Sequence, residues 1–404
     1  MFPKLRFKEF DGDLTESKLV ELTSWASGGT PAKDVPEYWG DDIPLISGAS
    51  MHTNQLYESD VKITKLGLQK GSKLALKDSI LILVRGSMLF NKIPMGITLG
   101  DVAFNQDVKC IRPKQQLAPL FLFQWLHAKE NTIQNKVTAT GIGAGKLDTA
   151  DLQNLKLYKP SSEEQTKIAS FLSTVDEKIS QLTQKHELLN QYKQGMKQKL
   201  FSQQIRFKAD DGSEFGEWEE KTLGSLGVFK SGQGFPEKYQ GGKTGVPFFK
   251  VSDMNTYGNE KRMVVANNYV DADSILEMKV KVILDESIIF AKVGAAVFLE
   301  RKRLATNFLI DNNMMAFTPD PKLNINFIKQ FLDTIKFSNF VQVGALPSYN
   351  AGDLAIIPIH IPCVVEQTKI ANFLSAIDQK IDMVAQQIEQ TKQWKKGLLQ
   401  QMFI

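Results

Sequence analysis

The chain contains few groupings of residues that could carry out catalysis. Residues 141–146 read GIGAGK, a glycine-rich stretch that ends in lysine, as phosphate-binding loops do. The G-x-x-x-x-G-K-[ST] spacing is not met, because Thr140 stands where the first glycine belongs and Leu147 follows the lysine. We interpret the stretch as a loop and keep Lys146 as a candidate phosphate contact.

Residues suited to metal binding or base methylation are also missing from the sequence. The four histidines, His52, His127, His186 and His360, are scattered, and none has a second histidine three to five residues away. There is no Asn-Pro-Pro-aromatic or Asp-Pro-Pro-aromatic run, and no glycine-rich S-adenosylmethionine loop follows a predicted strand. We therefore predict no catalytic residue and no metal site in this chain.

Composition indicates a globular protein of two or three domains. The chain has 404 residues, of which 42% are apolar and 9% aromatic. No run approaches the roughly 18 uncharged apolar residues of a membrane span, and the opening MFPKLRFKEF lacks the apolar core of a signal peptide. With only two cysteines, Cys110 and Cys363, these features favour a reducing cytoplasm. The net charge of +4 is compatible with a nucleic-acid partner but does not require one.

One peptide occurs twice. Residues 164–179 read EQTKIASFLSTVDEKI and residues 366–381 read EQTKIANFLSAIDQKI, with twelve of sixteen positions identical. Apolar residues in and after each copy alternate at spacings of four and three, the pattern of a coiled-coil seam. Each copy predicts a helix of about 40 residues, about 60 Å long. The predicted seam consists of Ile168, Leu172, Val175, Ile179, Leu182 and Leu189 in the first copy, and Ile370, Leu374, Ile377, Ile381, Val384 and Ile388 in the second.

Lysines interrupt both seams at matched positions. Lys193 and Lys395 each follow an aromatic residue, Tyr192 and Trp394. A polar seam residue can set register and partner choice at a cost in stability. The alternative is that the seam frays there. A long amphipathic helix packed only on its own domain is the alternative to a coiled coil as a whole.

The regions before the two helices also correspond, which indicates an internal duplication. IPLISGASM (43–51) aligns with VPFFKVSDM (246–254), and KDSILILVRG (77–86) aligns with DESIIFAKVG (285–294). Their short apolar runs, separated by Gly, Pro, Asn and Asp, predict mixed short strands. We predict an α+β fold with two mixed α/β domains, separated by two long helices that form an antiparallel coiled coil with pseudo-two-fold symmetry. The predicted order is domain 1–160, helix 161–204, domain 205–362 and helix 363–404.

The chain resembles the specificity subunits of type I restriction–modification systems. The resemblance rests on the doubled EQTKIA helix motif, its lysine-rich ends (QYKQGMKQKLF and QTKQWKKGLLQQMF) and the stretch from SGGTP to IPLISGASM (27–51). It implies a DNA-reading subunit without catalysis of its own, whose two target-recognition domains each read half of a bipartite, asymmetric site while the coil sets the gap. It also implies two methyltransferase subunits and motor-nuclease restriction subunits as partners, which would use S-adenosylmethionine, ATP and Mg²⁺, with no cofactor bound by this chain and no membrane involved.

Two sets of polar loops match what DNA contact requires. Lys and Arg contact phosphates, whereas Arg, Lys, Asn, Gln and Ser read base edges. The alternative is that these stretches are ordinary surface turns and solvated basic faces. The candidate DNA-binding residues are Ser27, Thr30, Lys33, Tyr38, Ser47, Ser50, Asn54, Arg85 and Lys146 in the first half, and Lys230, Gln233, Lys238, Tyr239, Lys243, Lys250, Ser252, Asn255, Arg301, Lys302 and Arg303 in the second.

Identical residues at the two helix starts have two interpretations. Glu164, Gln165 and Lys167 recur as Glu366, Gln367 and Lys369, either as part of a surface for protein partners or as helix caps and domain anchors. Two other functions stay open for the whole chain. One is a non-catalytic coiled-coil adaptor with two protein-binding heads, and the other is a restriction enzyme whose catalytic residues escape recognition.

Overall fold

The computed structural model describes residues 3–141, 143–342 and 346–404, which form two compact units. Unit 1 comprises Met1–His186 with Val384–Ile404, and unit 2 comprises Glu187–Met383. The division cuts through both long helices, α6 (Ser162–Phe201) and α10 (Val364–Met402). Each unit is thus a domain together with one half of each long helix. None of the helices in the described part of the chain is both long and apolar enough to cross a bilayer.

Unit 1 is built on a five-stranded sheet in the order β2-β11-β7-β9-β4, beside a four-stranded sheet in the order β5-β3-β10-β6. The remaining strands pair as β12-β13-β8 and as β1-β14. The strands are β1 (Thr15–Lys18), β2 (Thr23–Ser27), β3 (Trp39–Ile46), β4 (Gln55–Leu56), β5 (Lys62–Ile63), β6 (Lys73–Ala75), β7 (Ile80–Leu83), β8 (Arg85–Gly86), β9 (Met95–Thr98), β10 (Val102–Phe104), β11 (Val108–Pro113), β12 (Thr138–Ala139), β13 (Gly145–Lys146) and β14 (Lys156–Lys159). The short helices are α1 (Leu19–Leu22), α2 (Lys65–Gly71), α3 (Pro119–Ala128), α4 (Glu130–Gln134) and α5 (Thr149–Gln153).

Unit 2 repeats this plan with a four-stranded sheet in the order β16-β22-β19-β20 and a three-stranded sheet in the order β18-β17-β21. The strands are β15 (Glu219–Thr222), β16 (Gly227–Ser231), β17 (Val246–Phe249), β18 (Tyr269–Val270), β19 (Ser287–Ala291), β20 (Lys302–Ala305), β21 (Leu309–Ile310), β22 (Met314–Pro319) and β23 (Pro358–Ile361), with β15 paired to β23. The short helices are α7 (Ala272–Met278), α8 (Ile325–Leu332) and α9 (Ala351–Ala355). The order β2-β11-β7-β9 therefore has its counterpart in β16-β22-β19-β20.

The core of each unit lies between the main sheet and a helix that follows it. All four residues of β7 are buried, as are all five of β19, because both faces of these central strands are covered. In unit 1, Phe121, Leu122 and Trp125 of α3 join the same cluster as the β7 residues. In unit 2, Phe327 and Ile328 of α8 join the cluster that contains β19 residues. Burial of these apolar side chains is the main force holding each unit together.

The long helices pack against one another in opposite directions. In unit 1, Leu398 and Met402 near the end of α10 share the cluster that contains Ile168 and Leu172 at the start of α6. In unit 2, Leu200 at the end of α6 shares a cluster with Ile370 and Leu374 at the start of α10. In each unit the start of one helix therefore packs on the end of the other, which is the predicted antiparallel arrangement. All twelve predicted seam residues are buried or half-buried.

The two seam lysines are ion-paired across the coil. Lys395 Nζ lies 2.6 Å from Asp176 Oδ1 in unit 1, and Lys193 Nζ lies 2.6 Å from Asp378 Oδ1 in unit 2. In each pair the two residue numbers add to 571. The two halves of the coil thus share one register, and the seam does not fray at these lysines.

The identical residues at the helix starts anchor each helix to its own domain. Glu164 receives two hydrogen bonds of 2.7 Å from Arg6, and Glu366 receives bonds of 3.1 and 2.8 Å from Arg206. Both carboxylates are buried. Gln165 accepts from the Ala118 amide at 2.9 Å, as its counterpart Gln367 accepts from the Asn324 amide at 3.0 Å. The domain-anchor interpretation is therefore confirmed, and the glutamates and glutamines at these positions are not a surface for partners.

Candidate nucleic-acid interface

The polar loops of unit 1 meet at one end of the strands of the main sheet, where β2 and β7 end and β9 and β11 begin. The Gly29 amide donates to Phe104 O at 3.0 Å, and the Val84 amide donates to Asp107 O at 2.8 Å. The Leu147 amide donates to Val84 O at 2.9 Å, which brings the segment after β13 to the same edge. We call this the loop edge of unit 1. Candidates Ser27, Thr30, Arg85 and Lys146 lie along it.

The loop edge of unit 2 has the same construction. The Gln233 amide donates to Ile310 O at 3.0 Å, and the Lys292 amide donates to Asn313 O at 2.8 Å. The Gly294 amide donates to Pro347 O at 2.8 Å, which adds the segment before α9. Since these bonds have counterparts in unit 1, the duplication extends from the sheets to the loops at their edge.

A glycine directly after β2 and another directly after β16 allow this close approach. A Cβ atom on Gly28 would lie 2.1 Å from Phe104 O, and one on Gly232 would lie 1.7 Å from Asp311 O. Both distances are too short for any side chain. The loops after β2 and β16 are therefore held against the neighbouring strand connection, where their polar residues are presented together.

Several unit 1 candidates line one open cavity of about 600 Å³. Thr30, Lys33 and Ser47 contribute to it, together with Gln106, which accepts a hydrogen bond of 2.7 Å from the Thr30 hydroxyl. Ser27 accepts a hydrogen bond from Lys109 Nζ. The Asn105–Asp107 turn, with Lys109 beyond it, was not predicted. Its signal was two turn-forming residues, Asn105 and Asp107, between two apolar strands.

Arg85 and Lys146 are directly opposite one another on paired strands of unit 1. Both side chains are exposed. Like charges at directly opposed positions repel and destabilise a sheet. An anion bound between the two side chains would relieve this repulsion. A DNA phosphate carries the negative charge that this requires.

Three other candidates in unit 1 make local hydrogen bonds. The carbonyl of Tyr38 accepts from the Thr64 amide at 3.0 Å, beside α2. Ser50 bonds with the Ser59 hydroxyl at 3.1 Å, and the Asn54 carbonyl accepts from the Ile97 amide at 2.9 Å. The bonds of Tyr38 and Asn54 use backbone carbonyls, whereas Ser50 uses its hydroxyl.

In unit 2, two of the candidates line a cavity, and the others make local contacts or are exposed. Lys230 and Gln233 line an open cavity of about 410 Å³, in which Lys230 Nζ lies 3.5 Å from Asp285. Lys238 pairs with Glu277 of α7 at 2.6 Å, and that hydrogen bond raises the pKa of Lys238. Its ammonium also lies over the Tyr239 ring. Lys250 donates to Gln240 at 2.8 Å, while Lys243 and Ser252 are exposed.

The basic triplet 301–303 is not a single basic patch. Lys302 is 2% exposed, and its Nζ donates to Glu300 at 2.9 Å and to Ile335 O at 3.1 Å. Its prediction as a DNA contact is therefore wrong, because alternation along β20 turns this side chain into the core. Arg303 is half-buried, which lowers its pKa, and it donates to Asn259 O at 3.1 Å. Arg301 is half-exposed and donates to Asn255, so these two candidates lie together.

The predicted phosphate-binding segment is only partly described by the structure. Lys146 is in β13, whereas Ile142 of the GIGAGK stretch lies outside the described residues. Among the described residues, no group of three or more His, Cys, Asp or Glu side chains is placed to hold a metal ion.

Known proteins share the sequence pattern of the whole chain. Residues 12–191 and 216–393 each match the type I restriction modification DNA specificity domain. The chain is 27% identical to a putative type I restriction enzyme MjaX specificity subunit of Methanocaldococcus jannaschii, over 98% of this chain and 94% of that protein. It is 29% identical to the Escherichia coli EcoR124I/EcoR124II specificity subunit over 45% of each chain.

Solved structures share the fold. The S subunit of a type I restriction–modification system from M. genitalium matches with a TM-score of 0.58 and 16% identity, over 100% of this chain and 99% of that one. A chain from a study of complex assembly and conformational transition in the type I system also matches with a TM-score of 0.58, at 14% identity, over 97% of both chains. The predicted resemblance and fold class are confirmed. The chain belongs to the family of DNA specificity subunits of type I restriction–modification systems.

Proposed function

We propose that each unit reads one half of a bipartite, asymmetric site in double-stranded DNA, through its own loop edge. The paired helices set the length of the unread gap. They also carry two adenine-N6 methyltransferase subunits, which restriction subunits join. S-adenosylmethionine, ATP and Mg²⁺ are used by those partners, and this chain binds none of them.

One observation carries the proposal: the two units present equivalent loop edges that bear different side chains. Arg85 and Gly86 pair with the segment at Lys146 in unit 1, whereas Val293 pairs with Ser348 at the matching place in unit 2. Base edges are read by side chains, and loops with unlike side chains prefer unlike bases. Two half-sites of different sequence follow from this difference.

The docking of two methyltransferase subunits is supported by the outer faces of the long helices. The positions between the seam residues are mainly exposed along both helices, and the exposed Lys178 recurs as the exposed Lys380. A duplicated helix offers the same surface twice. Two equivalent partners are therefore expected, one for each copy.

The test is to map N6-methyladenine in DNA from cells that contain this chain with its methyltransferase subunit. We expect a two-part motif with a gap of constant length. Binding of the purified complex to that motif should weaken steeply with salt, because phosphate contacts release counterions. Equal affinity for random duplex would contradict the proposal and favour the adaptor with two protein-binding heads.

Two further measurements separate the roles of the parts. The chain alone, incubated with DNA and either S-adenosylmethionine or Mg²⁺, should yield no modified or cut product. In the assembled complex, Arg85→Ala should weaken or relax recognition of one half-site and Arg301→Ala that of the other, each by about 5- to 100-fold. Loss of the same half-site in both variants would contradict the assignment of one unit to each half.

A further inference from the structure

A half-exposed phenylalanine lies at the same place on both loop edges. Phe90 is 48% exposed and Phe298 is 55% exposed. Phe90 ends the 3-10 turn Ser87–Phe90, which follows β8, and Phe298 lies in the 3-10 turn Ala295–Leu299, which follows β19. The two rings are 208 residues apart, the same separation that relates Gly86 to Gly294.

The backbone of each turn projects the ring outwards. Gly86 and Gly294 precede the turns with φ values of +148° and +82°, which residues with a Cβ rarely adopt. The residue just before each phenylalanine, Leu89 or Val297, is buried at 0% and 2% exposure. Successive side chains in a 3-10 turn are about 120° apart. Anchoring the leucine or valine in the core therefore turns the next side chain towards solvent.

Both rings have cationic neighbours. In unit 1 the turn begins two residues after Arg85, which is opposite Lys146. In unit 2 Arg301 lies three residues beyond Phe298, and the acidic residue between them, Glu300, is turned inwards. Its carboxylate accepts from the Phe337 and Ser338 amides at 3.0 and 2.8 Å and from Lys302. The surface around each ring thus favours a polyanion over an apolar protein partner.

The phenylalanine is common to both turns, whereas its neighbours differ between them. Arg85 corresponds to Val293, and Lys146 to Ser348, yet phenylalanine is kept in both turns. A side chain common to two loops that read different sequences cannot encode the difference. Every base presents an aromatic face whatever its identity, and phenylalanine can pack on that face.

We propose that Phe90 and Phe298 are apolar wedges, each inserted beside a base pair of the half-site that its own unit reads. Insertion partly unstacks the adjacent bases. It would also lower the cost of taking the target adenine out of the helix, which methylation of a base requires. The inference rests on the proposed function, because it assumes that the loop edges contact DNA.

The experiment uses the complete complex with methyltransferase subunits and its mapped site. 2-Aminopurine is placed at positions of each half-site other than the methylated adenine, so that its fluorescence reports unstacking beside the wedge. Phe90→Ala should weaken binding by about 5- to 100-fold and abolish the fluorescence increase in one half-site only. Phe298→Ala should do the same in the other half-site. The methylated motif should be unchanged in both variants, and Phe→Leu variants should retain most of the affinity.

A matched control is an exposed aromatic on the opposite edge of the unit 1 sheet. Tyr57 is 52% exposed and follows β4, beside the end of β9. Tyr57→Ala should leave both affinity and fluorescence unchanged, and melting temperatures show whether each variant is folded.

Three results would overturn the wedge inference while leaving the proposed function in place. The first is wild-type affinity and fluorescence in both alanine variants. The second is a changed motif, which would make the rings readers of sequence. The third is loss of methyltransferase subunits on gel filtration, which would place the rings in a protein interface. If the wild-type complex methylates no two-part motif, the proposed function fails first.

Discussion

At the scale of single residues, each half contains an equivalent ion pair between an arginine and a buried glutamate. Arg206 donates two hydrogen bonds to Glu366 and one of 2.7 Å to Gly216 O, and Arg6 makes the same three contacts with Glu164 and Gly12. Each arginine ties the segment before its domain to the start of a long helix. A buried carboxylate that loses its partner is costly, whereas an exposed pair contributes little.

Removing the arginine of the Arg206–Glu366 pair should destabilise unit 2. Glu366 is fully buried, so Arg206→Met should lower the free energy of unfolding by about 3–5 kcal/mol. Arg206→Met combined with Glu366→Met should recover most of that loss. Differential scanning calorimetry checks both, with Lys208→Met as the control, because the pair of Lys208 with Glu214 is exposed on both sides. An equal loss in the double variant would show that packing, not the unpaired charge, explains the effect.

Lys197 should make stability depend on pH. Burial lowers the pKa of Lys197 to about 8, and Asp333 at 3.9 Å offsets only part of the effect. The unfolded chain, with an ordinary lysine pKa near 10.5, binds the proton more readily than the folded chain. The loss of folding stability caused by the buried charge is therefore complete below pH 8, and it disappears as the pH rises towards 10.5.

Lys197→Leu, which copies Leu399 at the matching position of the other helix, should therefore stabilise the protein at pH 7. The expected gain is at most about 3 kcal/mol, and it should vanish near pH 10.5. Urea unfolding at the two pH values measures it. Lys199→Leu, at an exposed position, is the control. A gain that persists unchanged at high pH would point to apolar packing rather than to the buried charge.

At the scale of elements, the coil is specified by both its seam and its ion pairs. Apolar residues repeating at spacings of four and three allow several registers, since a shift by seven residues restores the pattern. Lys193 with Asp378, and Lys395 with Asp176, are satisfied together only in the antiparallel register observed. The lysines thus select one pairing among those that the seam permits.

Reversing one charge should weaken the coil locally. Lys395→Asp would place two carboxylates together where Lys395 is 11% exposed, which should cost about 3–5 kcal/mol. Adding Asp176→Lys should restore most of the stability, because the exchanged pair can form in the same register. Thermal unfolding followed by circular dichroism measures the difference. Failure of the exchange to restore stability would mean that the ion pair does not act as a pair.

At the scale of the whole molecule, the duplication places two equivalent loop edges in one chain. The proposed function makes the helices the part that sets the gap between half-sites. A change in helix length should then alter the gap but not the bases read. This separates the helices from the loop edges as determinants of the site.

Insertion of one heptad into both helices should lengthen the gap. The insertions belong after Gln184 and after Gln386, positions matched by the register of the two ion pairs. Seven residues add about 10 Å, equal to about three base pairs, while both half-sites stay the same. Methylation mapping reads the outcome. Insertion into one helix only is the control, and it should abolish methylation because the seams no longer match.

The duplication, the two long helices, their seam and the family resemblance can all be read from the order of residues alone. Those features depend on spacing along the chain, and the helices were found within three residues of their predicted ends, at Ser162–Phe201 and Val364–Met402. Turn-rich loops were also identifiable, since Gly, Asn and Asp favour turns wherever they lie. The candidate residues of the loop edges came from those loops.

Which of those residues meet, and which are buried, depends on how each unit folds in three dimensions. Lys302 is in a basic triplet, but strand alternation turns its side chain into the core. There its Nζ donates to Glu300 and to Ile335 O. Phe90 and Phe298 are ordinary apolar residues in the sequence, and their exposure follows from turns whose buried neighbours are anchored in the core. Contacts between separate segments of the chain, such as Val84 with Asp107, bring the loops to one edge. Such contacts depend on packing of the whole unit, which local spacing does not encode.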